Sequence, residues 1–541
     1  MNRLTLNLGL RYEYNGVPRD AGLQALNAIS DDPALGLIFR KQKPDTNNWA
    51  PRFGFAFDPT GSGKWAIRGG AGIFYDITVT NFDLNLLPPQ LQSEQDPTLT
   101  CSLAGAPTWC TNPSAGFLQT GGLLQVNVPP TTQAAARAAT QGEMLDVVEP
   151  KIISWNLSVQ HQFPGNTTVE VRYVGNHALS LTSQIRLNSE SAFDPNAPGG
   201  GLTPLPTYFT ASSIPAKVPT PASTLQSFDN FNSQPLAADG FLSNFTEDPP
   251  IASSIYHSGS VSVIHRVGHG LYIQADYTLA HADDDATNEF FTSRVNPRRA
   301  QDGYDIRADW GRSVLDIRNK FAMGFVYTLP NIQTDNAAAR GFLHGWQLTG
   351  TYLAQSGQPI TALSDVDSND NGDAAGDRTI LNPSGIPNTG TVVDPVCNDG
   401  AGGATRVITA TSAACADANV VGYVAESPTA EYVQAGVGAQ ANVGRNTINT
   451  PGLNIWNMSL LKDIPLTERF KLQFRVETYN TFNHPNFSIG LPSNDGAHDQ
   501  NDNPNPLSTA YPFVDSGNLF LNSSVFNGGN RELEFGLRLL F

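Results

Sequence analysis

The sequence predicts an all-β fold, an antiparallel transmembrane β-barrel with long loops at one end and short turns at the other. Three observations lead there. Segments of about ten residues alternate apolar and polar side chains, the period of a strand with one apolar and one wet face. The connections between these segments are long and short by strict turns. Composition agrees: of 541 residues only 15% are charged and 40% hydrophobic, whereas 49 are Gly and 38 Pro, a balance that disfavours a large helical protein.

No run of about 18 apolar residues offers a transmembrane helix, but alternating strands hide their apolarity from such a window. A mean hydropathy of -0.24 is therefore compatible with a membrane protein. The formal net charge of -17 disfavours nucleic acid as a partner, because phosphate backbones need clustered Lys and Arg and no such cluster occurs. Much of the acid lies in loop segments, where solvation accounts for it.

The first strand is expected over residues 3 to 14, with Leu4, Leu6, Leu8, Leu10, Tyr12 and Tyr14 opposing Thr5, Asn7, Gly9, Arg11 and Glu13. A loop follows, with breakers up to Asn47 and Asn48. Phe53, Phe55 and Phe57, a turn over 59 to 63, then Trp65, Ile67, Ala71, Ile73 and Tyr75 read as a hairpin. That turn with Lys64 is superficially like a phosphate loop, but the first glycine is missing and Trp65 replaces Ser or Thr, so nucleotide binding is rejected. Residues 76 to 151 read as irregular, with one Ala-rich stretch near 133 to 145 suited to a short helix.

The next hairpin runs from Ile153 through Trp155, Leu157, Val159, His161 and Phe163, turns at Pro164, Gly165 and Asn166, and returns through Val169, Val171 and Tyr173. A long segment over 176 to 254 leads to a strand near 255 to 266, a turn over 267 to 270, and Leu271, Ile273, Ala275, Tyr277 and Leu279. After a loop from 281 to 313, Phe321, Met323, Phe325 and Tyr327 mark a strand. A moderate turn over 330 to 341 leads into Trp346, Leu348 and Tyr352. The longest loop, 357 to 452, precedes Trp456, Met458 and Leu460, the turn 463 to 467, and Phe470, Leu472, Phe474 and Val476. A loop over 484 to 530 ends at the closing strand, where Leu533, Phe535, Leu537, Leu539 and Phe541 alternate with Glu532, Glu534, Gly536, Arg538 and Leu540. At a rise of roughly 3.3 Å per residue this last strand is long enough to cross a bilayer at a tilt.

A sandwich or propeller has no reason to put every long loop at one end, whereas an outer-membrane barrel does. With the carboxyl terminus on the periplasmic side, the alternation sets the direction of all of about twelve strands. Tyr14, Tyr75, Phe163, Tyr327, Trp346 and Phe470 near strand ends suit two interfacial girdles. Gln160, Glu170, Arg172, Gln274, Asp276, Lys471, Arg475 and Glu477 then line a wet interior, which generic lumen solvation explains.

Several stretches carry a resemblance: Asn48-Trp-Ala-Pro-Arg-Phe-Gly-Phe-Ala-Phe-Asp-Pro59, Ile67-Arg-Gly-Gly-Ala-Gly-Ile-Phe-Tyr-Asp76, Asp316-Ile-Arg-Asn-Lys-Phe321, Gly444-Arg-Asn446 and Phe474-Arg-Val-Glu-Thr-Tyr-Asn-Thr-Phe-Asn-His-Pro-Asn-Phe487. In this order they resemble the carboxyl-terminal barrel of TonB-dependent outer-membrane receptors of Gram-negative bacteria, in the subgroup with an amino-terminal carboxypeptidase-regulatory-like domain. The alternating last strand ending on Phe541 resembles the assembly signal of such barrels, read by the barrel assembly machinery. The resemblance implies a plug inside a barrel of about 22 strands, with the inward polar residues contacting that plug or a passing solute. The chain is thus expected to be a partial barrel, with signal peptide, regulatory-like domain, plug and early strands upstream of Met1. It implies outer-membrane lipid, TonB through the missing plug, and an unidentified solute of siderophore, oligosaccharide or peptide class as partners. A passive porin-like barrel and a secreted all-β binding or adhesion protein are the two alternative readings of the same strands.

Within residues 365 to 378, Asp367, Asn369, Asn371 and Gly372 match the opening of a calcium loop, since a hard cation wants several oxygens from a tight turn; the candidates are Asp365, Asp367, Asn369, Asn371 and Asp373. Arg378 stands where the usual twelfth-position Glu would be, and a solvated acidic turn explains the same residues. His281 with Asp283 and Asp285 is a weaker metal candidate. No H-E-x-x-H or G-x-S-x-G occurs, so no catalytic residue is assigned. Cys101 with Cys110, and Cys397 with Cys415, lie in pairs too widely spaced for a usual zinc site and suit two local disulfides in an oxidising compartment, although four cysteines permit three pairings.

Overall fold

The computed structural model describes residues 3–17, 32–37, 42–76, 131–140, 142–143, 146–242, 246–267, 270–286, 299–364, 366–373, 376–399, 403–409, 414–489, 526–528 and 530–541. A 13-stranded antiparallel sheet dominates it. Twelve of its strands form one path in chain order: β1 Leu4–Tyr12, β2 Trp49–Phe57, β3 Trp65–Tyr75, β4 Lys151–Phe163, β5 Thr167–Leu181, β6 Ala252–Val267, β7 Leu271–Asp284, β8 Asn319–Thr328, β9 Trp346–Gln355, β10 Leu453–Pro465, β11 Lys471–Tyr479 and β12 Glu532–Leu540. The short strand Gly311–Arg312 pairs off the end of β7. Among the described residues β1 pairs only with β2 and β12 only with β11, so the path has two open edges.

Register turns the alternation into two surfaces. Leu4, Phe57, Ile67, Val159, Val171, Val261, Tyr277 and Phe321 stand opposite one another from β1 to β8 as one apolar row. One residue along, Arg68, Ser158, Arg172, Ser260, Thr278, Lys320 and Gln355 make a polar row on the other face from β3 to β9. On the apolar face, glycines receive neighbouring rings. A Cβ on Gly175 would lie 2.4 Å from Trp155, and one on Gly350 2.6 Å from Phe325.

The short turns are built by their own residues. Asp58 accepts from the backbone N–H groups of Thr60, Gly61 and Gly63 at 3.1, 2.9 and 2.7 Å, and Gly61 and Gly63 take positive φ. The hydrogen bond from Gly63 above all holds the Asp58 carboxyl below its ordinary range. Residues 59 to 63 thus form an Asp-capped turn.

Burial is inverted relative to a soluble sheet. Leu8 is 79% exposed and Leu537 69%. Buried hydrophobic clusters instead lie in the long connections. Such a sheet needs an apolar solvent on its outer face.

Several expectations are corrected. β5 runs to Leu181 and β7 to Asp284, so His281 and Asp283 sit on a strand and not in a loop. At 15 and 14 residues these strands exceed the about 9–11 that a tilted strand needs to cross the hydrocarbon layer, so pairing there outlasts the apolar pattern. Tyr14 and Phe470 fall outside strands. The long connections hold short strands and helices of their own; the Ala-rich stretch gives a helix over Gln133–Ala138, capped by the Thr132 side chain.

Candidate functional site

The described residues of three connections, 182–251, 285–318 and 356–452, gather at the end opposite the short turns. The first and third share a core: Ala192, Leu205 and Phe228 pack with Ile380, Tyr423, Val433 and Ala439. Phe228 and Val433 are fully buried. One strand pair links the same stretches, Thr207–Tyr208 parallel to part of Val420–Ala425, and within the third connection Ile380–Leu381 runs antiparallel to part of Ala430–Val433. The Tyr423 hydroxyl donates to Val437 O at 2.7 Å, and burial pushes its pKa up, so it stays a donor. A disulfide joins Cys397 to Cys415, 18 residues apart, with Cys397 buried beside Ile408 and Val420. Cys101 and Cys110 lie outside the described residues.

Arginine–aspartate pairs tie the three connections together. Arg299 of the second makes a two-point pair with Asp373 of the third, Nη2 donating to Oδ1 at 2.6 Å, while Nη1 donates to Gln184 Oε1 of the first at 2.7 Å. Arg186 lies 3.6 Å from Asp373 and donates to Gly372 O at 3.2 Å. Burial pulls the Arg186 guanidinium down to about 10 against the attraction of Asp373. Arg378 pairs with Asp309 at 2.6 Å. Arg445 pairs with Asp284 at the end of β7 and donates to Asp309 O at 3.0 Å. A small polar cleft between the connections is lined by Gln184, Arg186, Arg299, Asp302, Tyr304 and Asp373.

Two of the motifs quoted above are therefore staples. In Gly444-Arg-Asn446, Asn446 Nδ2 adds a bond to Arg312 O at 2.7 Å. In the Asp316 motif, the carboxylate accepts from Arg312 at 2.6 Å and from Ala282 N of β7 at 3.0 Å. Removing one partner of a buried pair strands the other, at a cost of about 3–5 kcal/mol, so each pair is sensitive to a single substitution. Arg186, Arg299 and Asp309 went unassigned in the sequence, because nothing in a loop's spacing says which distant acid an arginine meets. Arg445 and Asp316 lay inside the quoted motifs, which was their only signal.

The calcium candidates are placed as follows. Asp365 is outside the described residues. Asp367 accepts from Asn371 N at 2.9 Å and Gly372 N at 2.7 Å; Asn371 Oδ1 accepts from Asp373 N at 2.8 Å. Asn369 and Asn371 both donate to Gln301 O, at 2.8 and 3.3 Å. Asp373 is engaged by arginine. Burial raises the carboxyls of Asp367 and Asp377, and that of Asp370 to about 7. His281 reaches Asp283 at 2.9 Å, but Asp285 turns to Ser253, accepting from its N at 2.7 Å and its Oγ at 2.9 Å. Among the described residues no group of three His, Cys, Asp or Glu is arranged to hold a metal ion.

The inward residues expected from the alternation lie on the polar face, and most of them bond along it. Arg68 donates to Gln160 at 2.8 Å, Arg172 to Glu170 at 2.8 Å, Gln274 to Asp276 at 3.1 Å and Arg475 to Glu477 at 2.5 Å. Glu477 stands directly opposite Glu534. The arrangement is a polar wall that carries charge of both signs.

A sheet apolar outside, polar inside and capped on one side defines a membrane-spanning barrel wall with an extracellular layer. The model of the outer membrane beta barrel domain family matches residues 1–505, and the chain belongs to that family and to the outer membrane. No curated protein matches the sequence. Among solved structures it is similar to the outer membrane transporter YddB from Escherichia coli (8% identity, 92% of this chain and 41% of that chain, TM-score 0.39). It is likewise similar to the ferric citrate transporter FecA (9%, 100% and 43%, TM-score 0.37) and to BauA, the ferric preacinetobactin receptor from Acinetobacter baumannii (9%, 99% and 40%, TM-score 0.36). The chain spans about two fifths of the length of these three structures.

Proposed function

We propose that the chain is the carboxyl-terminal barrel portion of a TonB-dependent receptor that actively imports a scarce solute of siderophore, oligosaccharide or peptide class. In this reading the long loops capture the solute. Energy from the inner membrane, delivered through TonB to a plug outside this chain, then opens its way along the polar wall. No catalytic step is assigned to any residue.

The observation that carries the reading is the cored, disulfide-closed and ion-paired body built from three long connections on one side of the sheet. A preorganised surface of this kind suits capture of a dilute ligand, since ordering is completed before binding. A passive pore needs only the wet wall. The test is accumulation of a labelled ferric siderophore, oligosaccharide and peptide in cells carrying the protein, with TonB present or deleted. One class is expected to accumulate only with TonB; equal uptake in both strains, proportional to external concentration, identifies a porin and contradicts the proposal.

A further inference from the structure

We propose that the connection between β8 and β9, residues 329–345, is an in-plane anchor lying on the lipid side of the barrel wall, in the phospholipid boundary at the periplasmic rim. This rests on the outer-membrane placement and is independent of the TonB reading. Among the described residues the other connections at this end are tight turns, whereas this one carries the helix Ala337–Leu343. The Asn336 side chain starts it, accepting from Ala338 N and Ala339 N at 2.9 and 3.1 Å.

The direction in which the segment folds is set by Lys462. Register puts Lys462 opposite Trp346, on the same face as the pair Leu348 and Leu460, which is the apolar outer face. An ammonium bare to lipid there would be costly. Instead Lys462 is 6% exposed, donates to His344 O and lies 5.3 Å from the centre of the Trp346 ring. Trp346 Nε1 donates to Phe342 O at 2.6 Å, the two rings meet edge to face at 6.3 Å, and His344 Nε2 donates to Ile332 O at 2.8 Å. The segment thus wraps outward over the wall and covers the lysine.

That wrap leaves Phe342 70% and Ile332 55% exposed. Along the rim the next turn presents Leu466 at 54% and Phe470 at 42%. These side chains continue the lipid-facing surface of β8 to β11, and that continuity names the occupant: acyl chains for the rings, with exposed Arg340 reaching phosphate in the headgroup layer.

The test is a nitroxide label at Phe342→Cys, with Ser62→Cys in a tight turn as the aqueous reference, in outer-membrane vesicles holding the protein. Collision rates with oxygen and with a water-soluble nickel chelate are read, after subtracting the unsubstituted chain. At position 342 oxygen access is expected to exceed, and nickel access to fall several-fold below, the values at position 62. Equal nickel access at both positions overturns the proposal, as does a label at 342 shielded from both probes, which indicates a protein partner. Ile332→Cys, on the same patch but outside the helix, repeats the reading should the first variant not fold.

Discussion

Leu537 and Glu534 sit three residues apart on β12 and face opposite media. Leu537→Lys, at mid-strand on the lipid side, is expected to cost about 2–4 kcal/mol of barrel stability, read as a lower unfolding midpoint in a urea titration in lipid. Glu534→Lys is expected to cost little, because it faces the wet side and turns the Glu477–Glu534 opposition into an attraction. Equal losses would contradict the assignment of faces. Gly175→Val is expected to destabilise as well, since its Cβ would strike the Trp155 ring at 2.4 Å; an unchanged midpoint would show that the ring is not seated there. Asp370 gives the cap a pH dependence. Burial raises its carboxyl to about 7, above the ordinary value near ~3.9, so its protonated form favours the folded cap. The contribution is whole below about pH 4 and lost as pH rises through about 7. Asp367 and Asp377 shift in the same direction. Amide exchange over 366–373 and 376–382, corrected for intrinsic rates, is therefore expected to be slower at pH 5 than at pH 8, and Asp370→Asn to narrow that difference.

The elements of the wall were legible in the sequence because a strand between lipid and water must alternate, and a one-residue slip would put Arg68 or Arg172 into lipid. All twelve path strands follow from that pattern, as does the order of long and short connections. Their ends were less legible. Beyond the hydrocarbon layer both faces of β5 and β7 meet water or protein, so His177, His281 and Asp283 carry no periodic signal although the pairing continues. The extracellular body was least legible, because its core is assembled from residues far apart in the chain, such as Phe228 and Val433 of one buried cluster. Its motifs were visible, but that Arg445 clamps Asp284 is a fact of three dimensions. The disulfide is a further test of this element. Replacing Cys397 and Cys415 by Ser is expected to lower cap stability by roughly 2–4 kcal/mol while the sheet keeps its resistance to heat in detergent. Protease nicking confined to 356–452 would fit; loss of the sheet with the cap would show that the two fold as one unit.

At the scale of the molecule, hydrophobic burial is divided between two media. The wall relies on lipid for what a second layer supplies in a sandwich, and the water-excluded protein core lies in the extracellular body. Both the capture surface and the rim anchor depend on one assignment, that the long connections face outward and the short turns the periplasm. That assignment is tested most directly by labelling intact cells with a membrane-impermeant maleimide at two engineered positions, Ser212→Cys in the first long connection and Ser62→Cys in a tight turn. Position 212 is expected to label in intact cells, and position 62 only after the outer membrane is permeabilised. Labelling of position 62 in intact cells with position 212 protected would invert the barrel and contradict the account.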